Sequence, residues 1–386
     1  MAQPLNYGYG EEERILRGEV QKFFKAHNDE LKLMNLVGQD PDPHRPPESL
    51  WDREAWNKMV ELGWTALAVP EEAGGIGLSA VAMATLIEEA GRAAMPSPLI
   101  ATVNTTYVLK ACATEAADTA LGEIAEGRPA ALAITNRKGS WDFKATDVKA
   151  AVSGETTTLE GAAWFVQDAG KAEFFLVSAA SEAGIGLYIV PSDAPGVTVV
   201  PDSIVDLTRD QARVKFEGVV VEAAGTAAGP GRGDAALRAA LPAILTMVAA
   251  DMCGAAEWQL QTTVNYAKER VQFGRPIGFF QAVKHPIVNM MLMIDTARSN
   301  MFNAACAIDH EPESALLYAH MAKASASDMA EHCSGRSVQY HGGMGFTWEC
   351  FVHLYFKRQL HNQVLYGDAG YHRAKLADII MGPVAA

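Results

Sequence analysis

Apolar and polar positions divide the chain into three textures. From Glu11 to about Ala26 the run EEERILRGEVQKFFKA repeats apolar residues at helical spacing, with acidic residues at its start where they suit the helix dipole. The polar, proline-rich GQDPDPHRPPES that follows reads as a loop. Helical spacing returns from Trp51 to Leu62 and stops at Gly63, a natural C-cap. Pro70 to Gly77 holds too much glycine for a regular element. Ala80 to Ala93 is an alanine-rich helix halted by Pro96-Ser97-Pro98, and two further helical stretches reach about Glu126.

The texture changes near Gly127. From Ala130 to about Val221, alternating or β-branched runs (AALAIT, VKAAVSG, TTTLEG, AEFFLVSAA, IGLYIVPS, GVTVVP, ARVKFEGVVV) are separated by turn residues. This predicts a compact antiparallel β domain. Gly225 to Gly233 reads as a linker-like break. Long helical patterns then cover Ala235 to Arg270, Gln281 to Asp309, Pro312 to Gln339 and Trp348 to Met381, the last punctuated by glycine. The expected class is α+β: an N-terminal helical domain over residues 1–126, a middle antiparallel β domain over 127–230, and a C-terminal four-helix bundle over 231–386.

Composition narrows the function classes. A chain of 386 residues is too long for one ordinary core. Hydrophobic content of 49% with 20% charged residues describes a packed globular protein. A formal net charge of −14 disfavours nonspecific binding to nucleic acid or to an anionic membrane. Cys112, Cys253, Cys306, Cys333 and Cys350 are scattered without metal-like spacing, as thiols of a reducing cytoplasm are. No signal peptide is read at the N-terminus, and no run approaches the roughly 20 unbroken apolar residues of a membrane span.

Candidate chemistry concentrates in YAKERVQFGRPIGFFQ, from Tyr266 to Gln281. Arg270 is a permanent cation at a helix end, Phe273-Gly274 an aromatic beside a permissive backbone, and Gln281 an amide opening the next segment. A cation, a flat apolar face and an amide suit an anionic, partly aromatic ligand such as a nucleotide cofactor. A surface ion pair and a core phenylalanine account for the same residues as well.

The pattern as a whole resembles the acyl-CoA dehydrogenase family over nearly the full length. LGWTALAVPEEAGGIGLS matches the family's run before its substrate-facing helix. Arg270, Gln272, Phe273 and Gly274, followed by FQAVKH from Phe280 to His285, form its R-x-Q-F-G signature, and QYHGGMGF from Gln339 to Phe346 a second one. The resemblance implies FAD between the β domain of one subunit and the C-terminal bundle of its neighbour. It implies an acyl-CoA substrate dehydrogenated across Cα and Cβ, a carboxylate base, and an electron-transfer flavoprotein as acceptor. Arg270, Phe273, Gln281, Gln339, Gly342 and Gly343 would contact FAD bound mainly to the adjacent subunit, Arg270 facing the pyrophosphate.

Two departures matter. Most members carry the base in Tyr-Glu-Gly-Thr, followed by an arginine. Aligning Gly367 and Arg373 puts Tyr366 in the glutamate's place and Asp368 in the threonine's. The alternative base position, on the helix before R-x-Q-F-G, falls in Pro242-Ala243-Ile244-Leu245 and holds no acid. In the β domain, the family's flavin-ring elements survive only as Thr135, Gly139-Ser140 and Trp164. Elements serving the same subunit's flavin are lost, and those serving the neighbour's are kept. That sorting resembles the heteromeric α2β2 branch, which acts on bulky, cyclic or steroid-derived acyl-CoAs, with a paralogous subunit supplying the base.

Alternatives stay open. An active homomer would use Asp368, which on a continuous helix lies roughly 200° from the base position, so a break at Gly367 would be needed. Asp251 and Glu257 are weaker candidates, more simply paired or solvated. A scaffold without catalysis, or an oxidase or monooxygenase on the same fold, also accounts for the sequence. His285, His341 and His372 are read as non-catalytic, with His341 near the cofactor and His372 on a helical surface. Met290, Met291 and Met293 read as core filling. Ala239, Ala240, Ala243, Ala249 and Ala250 read as close helix packing.

Overall fold

In the computed structural model, which describes residues 10–28, 30–37 and 51–382, the helices form where apolar spacing places them, except one over Glu30–Val37 that the spacing did not mark. They are α1 (Glu11–His27), α2 (Glu30–Val37), α3 (Arg53–Glu61), α4 (Ala80–Ala93), α5 (Leu99–Cys112), α6 (Glu115–Ala125), α7 (Gly233–Glu269), α8 (Gln281–His310), α9 (Pro312–His341), α10 (Val352–Val364) and α11 (Ala369–Met381). The strands are β1 (Ala130–Ala133), β2 (Lys149–Ser153), β3 (Thr156–Gln167), β4 (Phe174–Ser181), β5 (Gly184–Pro191), β6 (Val197–Pro201), β7 (Gln211–Glu222), β8 (Thr226–Ala228), β9 (Val271–Gln272) and β10 (Arg275–Pro276). The fold is the expected α+β succession of an N-terminal helical region, a central sheet and a C-terminal helical region. The proline-rich GQDPDPHRPPES stretch lies outside the described residues.

The chain folds into two compact units, one of Gln39–Ser79 and Pro96–Ile244, the other of Met1–Gly38, Ala80–Met95 and Leu245–Ala386. In the first, the sheet runs β6-β7-β3-β2-β4-β5-β8, with β1 also on β4. Phe174 to Val177 are all fully buried, as a central strand covered on both faces must be. β7 instead alternates, with Ala212, Val214 and Phe216 on the core side. Two expectations change here. The sheet is mixed, because β1 pairs parallel with β4 over Ala130–Ala133 and β2 meets β4 parallel at Lys149. The linker-like break contains the three-residue β8, which pairs with β5 through Thr226 and Ala228; so short a strand leaves no alternation to read. Gly63 behaves as expected: at φ 75 it lets Trp64 N–H donate to Met59 O and its own N–H to Val60 O, the double bond of a Schellman stop.

The second unit is built around the C-terminal portion of α7. Against it α4 crosses at near-contact of backbones: a Cβ on Gly254 would lie 1.7 Å from Glu88 O, and one on Gly91 2.2 Å from Asp251 O. Of the five alanines read as close packing, Ala240, Ala243, Ala249 and Ala250 are buried, while Ala239 is exposed. α7 is long and apolar enough to cross a membrane by length and composition, a property missed by counting unbroken apolar runs, and most of its apolar window is buried inside the protein. α8 and α9 form a hairpin closed at Glu311, with Pro312 opening α9. Met290 fills the core, but Met291 is exposed together with Val288 and Leu292, one turn of α8. The final helical block is two helices, because Tyr366 and Gly367 take φ of 58° and 109° and end the helical path.

Candidate functional site

α7 ends where β9 pairs antiparallel with β10, Val271 opposite Pro276 and Gln272 opposite Arg275. The two residues between them, Phe273 and Gly274, have φ of 52° and 72°. A two-residue hairpin turn with both residues in the left-handed region is the I′ type, easy for glycine and strained for phenylalanine. Phe273 is nevertheless 92% exposed, its ring edge-on to Phe280 at 6.1 Å. Arg270 is exposed and makes no ion pair among the described residues; its carbonyl accepts from Ile277 N–H at 2.8 Å, closing the hairpin. Gln281 is exposed at the first position of α8.

The end of α9 joins this group through α7. His341 is buried and stacks on Tyr266 at 4.5 Å between ring centres, while its Nδ1 lies 2.8 Å from Ser337 O. Burial lowers its pKa. Ser337 Oγ in turn hydrogen-bonds Thr263 Oγ1 at 2.8 Å. Tyr266 carries the carbonyl that receives Arg270 N–H, so the stack sets the Arg270 end of α7 beside the Gly342 turn. Gly342 and Gly343 are exposed, and a Cβ on either would meet nothing within 4 Å. Gln339 is exposed one turn earlier. Arg270, Phe273 and Gln281 therefore share one unit with Gln339, Gly342 and Gly343. A cavity of about 330 Å³ opens beside them, lined by Trp258, Tyr266, Glu269, His341 and Met344.

Thr135 and Trp164 lie together in the sheet-bearing unit, where Trp164 N–H donates to Thr135 O at 2.9 Å. Thr135 is buried. Two guanidinium groups lie over the Trp164 ring, Arg213 at 4.8 Å and Arg137 at 5.5 Å. Asn136 Oδ1 accepts from the N–H groups of Lys138 and Ser140, so the loop that keeps Gly139-Ser140 closes on its own side chain.

The turn from Leu365 to Asp368 supplies the break at Gly367 that a role for Asp368 as base needs. Asp368 is exposed and caps α11, its Oδ1 accepting from Tyr371 N–H at 2.8 Å. Tyr366 is buried in the aligned base position. Asp251 is buried and receives Arg358 at 2.5 Å and Asn362. Glu257 is bound by Arg298 at 2.9 Å; burial works against its ionised form, but Arg298 prevails and its pKa is lowered. Both carboxylates are thus paired, as the sequence suggested. His285 is exposed. His372 is not on a surface: it is fully buried where α11 packs on α9, with its Nδ1 2.8 Å from His320 Nδ1. Lys323, fully buried beside that pair, escaped sequence reasoning altogether, since a lysine in a helical stretch reads as solvated.

Models of the acyl-CoA dehydrogenase N-terminal domain and C-terminal domain match residues 10–128 and 231–381. The chain is 32% identical over 349 residues to the acyl-CoA dehydrogenase IpdE2 of Mycobacterium tuberculosis, covering 90% of this chain and 91% of that one. Among solved structures, a Tcur3481-Tcur3483 steroid ACAD variant superposes with a TM-score of 0.85 at 28% identity, covering 96% of this chain and 98% of that one. The ChsE4-ChsE5 complex from Mycobacterium tuberculosis has the same fold, with a TM-score of 0.87 at 23% identity and coverage of 99% and 100%. With two family models over most of its length and a relative matched nearly end to end, this chain belongs to the acyl-CoA dehydrogenase family, whose members are FAD-dependent enzymes.

Proposed function

We propose that this chain is one subunit of a heteromeric acyl-CoA dehydrogenase, lending a nucleotide clamp to FAD at an unlike interface while a paralogous partner supplies the base. The observation that carries the reading is the disposition of carboxylates. Tyr366 stands in the base position, and a phenol, ordinarily near ~10, is a poor base at neutral pH. Asp368 serves as a helix cap, and Asp251 and Glu257 are each held by an arginine.

The clamp fits a dinucleotide. Arg270 offers a pyrophosphate a guanidinium without an ion pair among the described residues, Gly342 and Gly343 leave the backbone open to close approach, and Phe273 offers an exposed ring. The residual β-unit elements fit less well. Thr135 is buried, and guanidinium groups lie against Trp164 where a ring system would need a free aromatic face. FAD, when bound, supplies the hydride acceptor. This chain's part is to hold the nucleotide end with Arg270, Phe273, Gln281, Gln339, Gly342 and Gly343, and to exclude water with the exposed apolar side chains beside it, such as Phe346 and Met344. Val288, Met291 and Leu292 on α8 are further apolar surface suited to a partner chain. The three-part division at residues 126 and 230 goes with this assignment of roles.

Similarity to a steroid ACAD supports a bulky, ring-bearing acyl-CoA as substrate, and the family resemblance implies an electron-transfer flavoprotein as acceptor. Co-expression with a paralogous chain tests the proposal. The expected product is a yellow complex with one FAD per two chains and dehydrogenase activity, while this chain alone is colourless and inactive. Stoichiometric FAD and turnover in the isolated chain would refute it.

A further inference from the structure

The Leu365–Asp368 turn rests on a buried cation. Lys323 of α9 is fully buried, and its Nζ donates to Ser327 Oγ at 3.1 Å, Gln363 O at 3.0 Å and Gly367 O at 2.8 Å. Three donors meet three acceptors. Lysine is seldom fully buried unless a carboxylate pairs with it. Lys171 in the sheet-bearing unit follows that rule, bonded to Asp168 at 2.8 Å and Asp210 at 2.5 Å. Lys323 does not: no carboxylate among the described residues lies within ion-pair distance of its Nζ. Two of its three acceptors are main-chain carbonyls on either side of the Tyr366 bend.

Those two carbonyls explain the placement. Gln363 O belongs to the last turn of α10, where carbonyls lack helical partners and carry the negative end of the helix dipole. Gly367 O lies three residues beyond the helix end, past two residues with positive φ. A non-glycine residue in the left-handed region costs roughly 1–2 kcal/mol, so Tyr366 stays there only if its surroundings hold it. A long cation reaching from a neighbouring helix to both sides of the bend does that. The His320–His372 pair packs below; its 2.8 Å nitrogen separation needs one shared proton, and burial keeps both rings neutral. His372 N–H also donates to Asp368 O at 3.0 Å, tying α11 to the far side of the same turn.

We propose that Lys323 locks the Tyr366 turn: it bridges the C-terminus of α10 to Gly367 and so holds Tyr366 in its left-handed conformation. Burial draws the Lys323 pKa down to about 7 against the pull of Asp368, so the lock has a titratable member. The charged and titratable groups around it are His320 on α9, His372 and Lys375 on α11, and Asp368 in the turn.

Hydrogen exchange on the full chain tests the lock. In Lys323→Met, the amides of Gly367 and His372 should exchange at least tenfold faster, while amides in α7 and α8 keep wild-type rates. Lys323→Gln, which keeps two N–H donors, should restore part of the protection and serves if the methionine variant fails to fold. Unchanged turn amides, or loosening spread evenly over all helices, would overturn the lock.

Discussion

Removing the carboxylate of Asp251 should destabilise the protein far more than it alters chemistry. Asp251 is 1% exposed on α7, with Arg358 at 2.5 Å and Asn362 both donating to it from α10. At an effective dielectric near 20, two unit charges at that distance attract by about 7 kcal/mol, and desolvation of both ions offsets most of it. The pair as a whole is therefore near neutral. Breaking it is not, because Asp251→Ala takes from the buried guanidinium of Arg358 and the amide of Asn362 the carboxylate to which both donate, at a cost of about 3–5 kcal/mol. The unit that contains the pair holds about 200 residues. At about 2–4 °C per kcal/mol for that size, its melting temperature should fall by on the order of 10 °C. The assay is thermal unfolding followed by circular dichroism, with Asp251→Leu combined with Arg358→Met as the control. The double substitution removes both charges and should recover most of the loss. A single variant within about 1 kcal/mol of wild type, or a double variant no better than the single, would refute the reasoning.

Gly254→Ala should be as damaging by a different route: its Cβ would sit 1.7 Å from Glu88 O, so α4 and α7 must separate, costing about 3 kcal/mol or more in urea unfolding. Asp368→Asn keeps a capable N-cap but removes the carboxylate, so both melting temperature and dehydrogenase turnover in the heteromer should stay at wild-type levels; lost turnover with an intact melting curve would make Asp368 the base. Phe273→Gly relieves a left-handed phenylalanine and should leave the isolated chain as stable or about 1 kcal/mol more so, while weakening FAD retention in the heteromer several-fold, read by flavin absorbance after dialysis. Burial lowers the Lys323 pKa, so between about 7 and its ordinary value near ~10.4 the unfolded chain binds more protons than the folded one. Stability therefore gains a contribution as pH rises through that window, up to about 1.4 kcal/mol per unit, and a wild-type profile parallel to that of Lys323→Met would exclude it.

The candidate site was unevenly legible. Arg270, Phe273, Gln281, Gly342 and Gly343 could be singled out because local geometry demands their types: a helix end, a two-residue turn and an open glycine pair. Their convergence depends on the Tyr266–His341 stack and the Thr263–Ser337 bond, contacts between residues about 75 positions apart that no periodicity encodes. The break at Tyr366 was hinted at by Gly367, yet a single glycine in a helical pattern does not say whether the helix bends, ends or continues.

What the sequence determined by itself is what repeats along the chain. Hydrophobic spacing located every long helix and seven of the eight strands of the main sheet, because burying one face requires a period that neighbouring residues carry together. Tertiary structure decided the fate of single polar and apolar side chains. Lys323 and His372 are buried because α10 and α11 close over α9, while Met291, alike in composition to Met290, faces outward one residue along the same helix. β8 became a strand only because β5 offered its edge, and the parallel pairing of β1 with β4 follows from where α5 and α6 return the chain. Burial of a lone charge, strand direction and the arrest of a helix are settled by partners distant in sequence. The local pattern sets which elements exist, and the packing of those elements sets which residues they bring to the site.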